Sequence, residues 1–162
     1  MIQPGEHEGQ APVEGSRSEQ RILSMTPHGK SASSIAAVLH QRIEGLAQAI
    51  REKNLDQLMS FYSPAVVAFD VRPPLEARGA EYYRQNFEAW FGSFEGPISF
   101  ELKNLRVAPG EFTAFCHYLA LIVGARPGGE TVGYWARGTT CFERGDGEWL
   151  VTHEHISMPA SM

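Results

Sequence analysis

The sequence predicts an α+β fold in which a curved antiparallel sheet is wrapped over helices. Helical and strand patterns are segregated along the chain, in the order helix, helix, strand, helix and then four strands. Three turn signals separate the last four strands, as in an antiparallel meander. These turns are Pro109-Gly110, Pro127-Gly128-Gly129 and Gly145-Asp146-Gly147.

Two amphipathic helical patterns come first. Ser33-Ser34 provides an N-cap, and apolar residues recur at helical spacing from Ile35 to a helix end near Lys53. Asn54 caps a second, short helix, which Ser63-Pro64 ends because proline lacks the N–H that a helix interior requires. The apolar side chains of this second helix are Leu55, Leu58, Met59 and Tyr62.

The strands and a third helix follow. Residues 65–71 are rich in β-branched residues and predict a strand that Arg72-Pro73-Pro74 closes. A helix then starts near Gly79 and is unusually aromatic. Its aromatic residues at helical spacing are Tyr83, Phe87, Trp90, Phe91 and Phe94. The four remaining strands are predicted at 98–107, 112–125, 131–143 and 149–157.

Length and composition predict one domain. A chain of 162 residues, 43% hydrophobic and 20% charged, can bury one core of useful size. Residues 1–33 are rich in Pro, Gly, Glu, Gln and Ser and are predicted to form a disordered or loosely ordered tail. The domain then covers 34–158, and 159–162 form a short C-terminal end. Cys116 and Cys141 lie in apolar strands and are expected to be buried free thiols.

Charge and motifs exclude several classes of partner. The net charge is −5 with only 14 Lys and Arg, and no basic stripe is present, so no nucleic acid partner is expected. No segment approaches about 20 consecutive apolar residues, and the N-terminus lacks the features of a signal peptide, so we expect a cytoplasmic protein without a membrane partner. No nucleotide-binding loop occurs, and no cofactor is predicted.

The segment His153-Glu154-His155, near the end of the last strand, concentrates titratable side chains. Because side chains alternate in a strand, both histidines are predicted to share a face with Trp149, and Glu154 to share the other face with Ile156. Glu154 is a candidate pocket acid if its face is concave. His153 and His155 are candidates for an interface, for packing or for ligand contact. No further ligand motif accompanies the H-x-H pair, so no metal site is predicted.

Three further polar residues interrupt apolar strands. Asp70 is either a general base, if it points inward and burial raises its pKa, or a strand-end carboxylate. His117 is either a catalytic residue or a core histidine. Arg137 either forms an ion pair with Glu154 or Asp70 or binds an anion.

Aromatic residues are the candidates for ligand binding. Tyr62 and Tyr134 carry hydroxyls that can donate a hydrogen bond into a pocket. Trp90 belongs to the aromatic helix, whose side chains form either the core or a platform for an apolar ligand. A small apolar or polycyclic molecule is the expected partner.

Four features together resemble the nuclear transport factor 2-like superfamily, and within it the SnoaL-like and ketosteroid-isomerase-like proteins. They are the order of elements, the segment Tyr62-Ser63-Pro64 to Phe69-Asp70, the Arg78-Gly79 start of the aromatic helix, and the ending from Asp146-Gly147 to Ser157. The resemblance covers 34–158. It implies a cone-shaped, cystatin-like α+β roll around an apolar pocket, usually in a homodimer formed through the sheets.

The resemblance leaves the activity open, because this superfamily includes isomerases, polyketide cyclases, dehydratases, epoxide hydrolases and non-catalytic oligomerisation domains. The leading hypothesis is a small-molecule-binding protein that acts as a cofactor-independent isomerase, cyclase or dehydratase. In it Asp70 or Glu154 removes a proton α to a carbonyl, and a tyrosine or histidine stabilises the enolate. The alternative is a non-catalytic ligand-binding or dimerisation module.

Overall fold

The predicted α+β fold is confirmed by a computed structural model, which describes residues 31–160. The helices are α1 (Ala32–Arg51), α2 (Leu55–Met59) and α3 (Ala80–Gly92). The strands are β1 (Tyr62–Phe69), β2 (Ala77–Arg78), β3 (Glu95–Ala108), β4 (Thr113–Ala125), β5 (Thr131–Gly145) and β6 (Glu148–Ser157). The prediction of a tail at 1–33 falls, up to residue 30, outside the described residues.

The strands form one curved, open sheet in the order β2-β1-β6-β5-β4-β3. Strands β3 to β6 are the predicted antiparallel meander. Strand β1 joins β6 in parallel, and the two-residue β2 covers the outer edge of β1. A strand of two residues is too short to show an alternating pattern, so the sequence does not predict β2. None of the helices within residues 31–160 is long and apolar enough to cross a membrane.

Helix α1 covers the inner face of the sheet with one apolar stripe. Its side chains at helical spacing are almost completely buried, from Ile35 through Leu39 and Ile43 to Ile50. The helix begins two residues before the expected position, because the Ser31 side chain accepts a hydrogen bond from the Ser34 N–H at 3.3 Å. The stripe provides one wall of the core.

Tyr62 opens β1, so the prediction that places it in the second helix is wrong. The Phe61 carbonyl accepts a hydrogen bond from the Val151 N–H at 2.9 Å, which draws this segment into the sheet. Pro64 lies in a register shift between Tyr62 and Val67, where β1 is not paired regularly with β6. Proline has no N–H for the ladder, so an interruption is expected there.

A β-bulge in β6 decides which side chains reach the interior. Cys141 of β5 pairs with His153, whereas the next residue, Phe142, pairs with Val151. Thr152 is therefore an extra residue without a partner on β5, and the alternation of side chains shifts by one position there.

The bulge corrects the predicted faces of the last strand. Trp149 and Val151 point into the core before the bulge, and Glu154 points inward after it, at 4%, 0% and 2% exposure. His153 and His155 lie on the outer face. The prediction that both histidines share a face with Trp149 is therefore wrong, because strict alternation ends at Thr152.

Both cysteines are free thiols. Cys116 is buried, and burial raises the pKa of its thiol to about 12. Cys141 is only half-buried, because it lies on the outer face of β5, one residue before buried Phe142.

Candidate functional site

A cavity of about 660 Å³ lies between the inner face of the sheet and helices α1 and α3. Such a volume suits a small organic molecule. The cavity brings together Tyr62, Asp70, Trp90, Tyr134 and Glu154 among the candidate residues. Much of the remaining wall is apolar, and includes Leu46, Ile50, Phe87, Phe100, Ala120 and Ile122.

Glu154 is the centre of a buried polar group at the inner end of this cavity. Its Oε2 accepts hydrogen bonds from the hydroxyls of Tyr62 at 2.8 Å and Tyr83 at 2.7 Å. Its Oε1 accepts one from Thr140 at 3.1 Å, and the Tyr118 hydroxyl lies 3.5 Å away. We call these five residues the Glu154 cluster. No salt bridge to Glu154 is present within residues 31–160.

Burial dominates the electrostatics of the Glu154 cluster. Desolvation raises the pKa of Glu154, while the hydroxyls of Tyr83, Tyr62 and Thr140 oppose the rise because they stabilise the carboxylate. Burial, followed by the charge of Glu154, raises the pKa values of Tyr62, Tyr83 and Tyr118 well above the usual value. The phenols therefore remain protonated and act as hydrogen-bond donors.

The members of the Glu154 cluster come from five elements of the fold, β1, α3, β4, β5 and β6. Tyr62 opens β1, and Tyr83 is the buried tyrosine in the first turns of α3. Tyr118 lies on β4 between buried Cys116 and Ala120. Thr140 of β5 pairs directly with Glu154 of β6, so their side chains point to the same face.

Gly138 makes room for the Tyr118 ring. A Cβ atom at this position would lie 2.7 Å from the Tyr118 hydroxyl oxygen and closer still to ring carbons. Glycine at 138 is therefore required on steric grounds for Tyr118 to reach Glu154.

Asp70, the second carboxylate of the cavity, follows the last residue of β1. Its Oδ1 accepts a hydrogen bond from the Val71 N–H at 2.6 Å, and its other oxygen makes no hydrogen bond within residues 31–160. Burial raises the pKa of Asp70, and the bond from Val71 and the charge of Arg72 reduce this rise. Asp70 is thus a partly desolvated carboxylate with one oxygen available to a ligand.

Trp90 and Tyr134 form a polar contact across the outer part of the cavity. The Trp90 indole Nε1–H donates to the Tyr134 hydroxyl oxygen at 3.0 Å. Burial raises the pKa of Tyr134, while Trp90 and Arg126 oppose the rise. Since the Tyr134 oxygen accepts the indole proton, its own proton remains available to a ligand.

His117 and Arg137 lie on the outer face of the sheet and do not line the cavity. His117 is exposed because its neighbours on β4 occupy the inward positions, so it is not a core histidine. Arg137 forms no ion pair with Glu154 or Asp70, contrary to one predicted alternative. Its Nη2 donates to the Met158 carbonyl at 3.2 Å instead.

The two histidines of β6 also lie outside the cavity. His153 is half-buried, and its Nδ1 lies 2.9 Å from the Val67 carbonyl oxygen. A carbonyl only accepts, so Nδ1 carries the proton in this contact. His155 is exposed, and both imidazoles contact the Phe69 ring edge to face. Within residues 31–160, no three His, Cys, Asp or Glu side chains are grouped to hold a metal ion.

Sequence reasoning missed three members of the Glu154 cluster and one cation. Tyr83 was predicted only as a member of the aromatic helix, and Tyr118, Thr140 and Arg126 were not singled out. One signal was available for Tyr118, a tyrosine placed between apolar residues at the two adjacent same-face positions of a strand. No local pattern indicated that Thr140 and Glu154 are paired across two strands.

Comparisons with known proteins identify the family of the chain. Residues 39–161 match a family model described as a SnoaL-like domain. A search of the curated proteins found no significant match.

Solved structures with similar folds cover most of the chain. One is an NTF2-like protein of unknown function from Pseudomonas putida KT2440, 30% identical, with 83% of this chain and 92% of that chain covered and a TM-score of 0.72. Another is a putative dehydratase of the NTF2-like family from Streptomyces avermitilis, 17% identical, with coverages of 81% and 100% and a TM-score of 0.72. The association domain of C. elegans CaMKII is 18% identical, with coverages of 78% and 98% and a TM-score of 0.63.

Proposed function

The chain belongs to the SnoaL-like domain family of the nuclear transport factor 2-like superfamily, and on this premise we propose that it binds a small apolar molecule and transfers a proton on it without a cofactor. The observation that carries the proposal is the pairing of two carboxylates with different environments in one apolar cavity. Asp70 has a free oxygen, and Glu154 is saturated by hydroxyl donors. Carboxylates in such contrasting environments are typical of acid/base sites.

The wall of the cavity determines the kind of ligand. Aromatic and aliphatic side chains such as Phe87, Phe100 and Ile122 provide most of the contact surface, which favours a rigid apolar or polycyclic body. The few polar side chains would then orient that body.

Asp70 is the general base in this proposal. Its free oxygen takes the proton from a carbon α to a ligand carbonyl, because a partly desolvated carboxylate is a stronger base than an exposed one. The C–H electron pair forms the carbon–carbon double bond of an enolate, and the carbonyl π pair moves to oxygen. Return of the proton from Asp70 to carbon completes the transfer.

The Glu154 cluster stabilises the enolate oxygen. When Glu154 is ionised, its four hydroxyl neighbours can all point at its two oxygens. When Glu154 holds a proton, it donates to one of these hydroxyls, and a phenol such as Tyr83 is released to donate into the cavity. Burial favours this protonated form because it raises the pKa of Glu154. A donor placed where charge develops is the usual means of stabilising an enolate.

The test is hydrogen–deuterium exchange on a bicyclic ketone, β-tetralone, followed by NMR in D₂O. We expect the protein to accelerate exchange of the α protons and Asp70→Asn to reduce the acceleration about 100-fold, the usual scale for loss of a general base. Asp146→Asn, in the exposed turn, is the charge-matched control. Equal exchange with the wild type and Asp70→Asn would remove Asp70 from the mechanism, and no acceleration by the wild type would refute the catalytic proposal.

The second candidate function is a homodimeric, non-catalytic binding module. It is supported by large apolar side chains on the outer sheet face, where Trp135 is 45% exposed and Phe115 is 47% exposed. A second copy of the chain would cover them. Sedimentation at micromolar concentration tests this proposal, since Trp135→Asp should convert a dimer into a monomer that still binds 2-naphthol. A wild-type monomer would contradict it.

A further inference from the structure

The two ends of the cavity differ in charge. Its charged lining residues are Asp70, Arg72, Arg126 and Glu154. The inner end holds Glu154 and hydroxyl groups. The outer end holds Arg72, Arg126 and the Tyr134 hydroxyl, and Asp70 lies between the two ends, where its charge raises the pKa values of both Tyr134 and Glu154. Two guanidinium groups thus accompany one carboxylate outside the Glu154 cluster, and one positive charge is in excess. We infer that the cavity selects ligands whose apolar body carries a carboxylate, held at the outer end by Arg126 and Tyr134. This inference rests on the proposed ligand-binding function.

Register separates the two ends. Thr140, which pairs with Glu154, and Tyr134 both belong to β5, where they lie six residues apart and their side chains point to the same face. Ala68 pairs with Glu154 in β6, and Asp70 lies two residues further toward the outer end. The apolar wall therefore lies between a carboxylate at one end and guanidinium groups at the other.

Arg126 is held in place with part of its guanidinium free. Its Nη1 donates to the Ser93 carbonyl at 3.1 Å and to the Ser93 hydroxyl at 2.7 Å. The guanidinium carbon lies 4.6 Å from the centre of the Phe94 ring. Its Nε and Nη2 atoms make no hydrogen bond within residues 31–160. Neither atom is completely buried, so both are accessible to a ligand. An ordered arginine with free N–H groups is well suited to a carboxylate.

Tyr134 provides a second donor beside Arg126. Its oxygen accepts from Trp90, so its own O–H is available to the same ligand oxygen. The charges of both Arg126 and Arg72 lower the pKa of this phenol against the dominant effect of burial, which indicates that both cations lie near it. Asp70 is balanced by Arg72, whose charge also acts on the pKa of Asp70. Arg126 is therefore the cation left for a ligand.

The ligand class follows from these contacts. A carboxylate at the outer end would accept from the Arg126 and Tyr134 donors. A hydroxyl or carbonyl at the opposite end of the apolar body would face the phenols of the Glu154 cluster. The expected ligands are thus aromatic or polycyclic acids with a second oxygen function at the far end.

The experiment compares two fluorescent probes, 2-naphthol and 6-hydroxy-2-naphthoate, which differ only in the carboxylate. We expect the wild type to bind 6-hydroxy-2-naphthoate about tenfold more tightly than 2-naphthol, the scale of one charge-assisted hydrogen bond. Arg126→Gln should bring the ratio of affinities close to one, and Tyr134→Phe should reduce it while leaving the rest of the ring in place. Arg137→Gln, which removes the same charge from the outer sheet face, should keep the ratio.

The outcomes separate this inference from the proposed function. If 2-naphthol binds and the carboxylate adds no affinity, or if Arg137→Gln rather than Arg126→Gln abolishes the preference, the inference is overturned while ligand binding stands. If neither probe binds, ligand binding and the inference are both refuted. A carboxylate preference that Arg126→Gln and Tyr134→Phe each reduce supports the inference even if β-tetralone exchange is not accelerated. Thermal unfolding of each variant identifies loss of fold, and Tyr134→Phe remains a test if Arg126→Gln does not fold.

Discussion

The inner and outer faces of strands β5 and β6 both carry titratable side chains, but in opposite environments. Inside, Glu154 is 2% exposed and is surrounded by hydroxyl donors. Outside, its sequence neighbour His155 and the nearby Arg137 are exposed. Adjacent titratable residues therefore do not form one site, because successive side chains of a strand point to opposite faces. The comparison shows that the face of the sheet decides which polar residues can share a ligand.

Replacing Glu154 by alanine should show the largest difference in stability between a substitution on the inner face and one on the outer face. In Glu154→Ala the hydroxyls of Tyr62, Tyr83 and Thr140 lose their buried acceptor, and we expect the free energy of unfolding to fall by about 3 kcal/mol. Urea denaturation measures the change. His155→Ala, one residue away on the outer face, should change stability by less than about 0.5 kcal/mol. Equal losses for the two variants would contradict the assignment of faces.

Adding a methyl group to β5 should also destabilise the inner face more than the outer face, with a smaller difference than for Glu154. Gly138→Ala brings Cβ to 2.7 Å from the Tyr118 oxygen, and we expect a loss of about 2 kcal/mol because the ring must move away from Glu154. Gly133→Ala is the matched control, since its nearest neighbour, Val123 Cγ2, is 3.4 Å away on the outer face. Thermal unfolding of both variants is the measurement. If Gly133→Ala proves the more damaging, the packing around Tyr118 is not as described.

The pH dependence of the free energy of unfolding should also distinguish buried Glu154 from the exposed groups of the outer face. Burial raises the pKa of Glu154 in the folded protein above the ordinary value of 4.5. At pH values between 4.5 and the raised pKa, Glu154 has lost its proton in the unfolded chain but keeps it in the folded chain. The free energy of unfolding therefore falls as pH rises through this range.

The variant Glu154→Gln has no titrating group at position 154, so its free energy of unfolding should lack this dependence on pH. The difference between wild type and variant should be largest at low pH and decrease as pH rises through the window above 4.5, by at most about 1.4 kcal/mol per pH unit. Urea denaturation at a series of pH values gives the curve. Parallel curves, or a difference that grows with pH, would show that the pKa of Glu154 is not raised.

Most of the fold could be predicted from the sequence, because periodicity and turn residues are local signals. The helical spacing in residues 35–50 and the alternation in β4 reflect single buried faces. The Asp146-Gly147 hairpin turn requires positive φ at both positions, which these residues tolerate. Local signals failed at Tyr62, where a backbone hydrogen bond from the distant Val151 to Phe61 draws the chain into the sheet.

The candidate site could be predicted only in part. Asp70 and Glu154 were found because carboxylates in apolar strands are conspicuous, and both line the cavity. Arg126 was not found, since an arginine after a strand has no local feature that distinguishes it from a solvated residue. His117, His153 and His155 were singled out on residue type, but none of them lines the cavity.

The class of fold, the resemblance to the family and the concentration of polar groups at the end of β6 could all be inferred from the sequence. Hydrophobic period, turn chemistry and residue types are sufficient for these conclusions because each acts over a few neighbouring residues. Which of these groups contact one another depends on the tertiary structure. The extra residue Thr152 changes the alternation so that both Trp149 and Glu154 point inward, and the four hydroxyls reach Glu154 from β1, α3, β4 and β5. A bulge and a contact between distant strands depend on pairing partners, and no local pattern contains them.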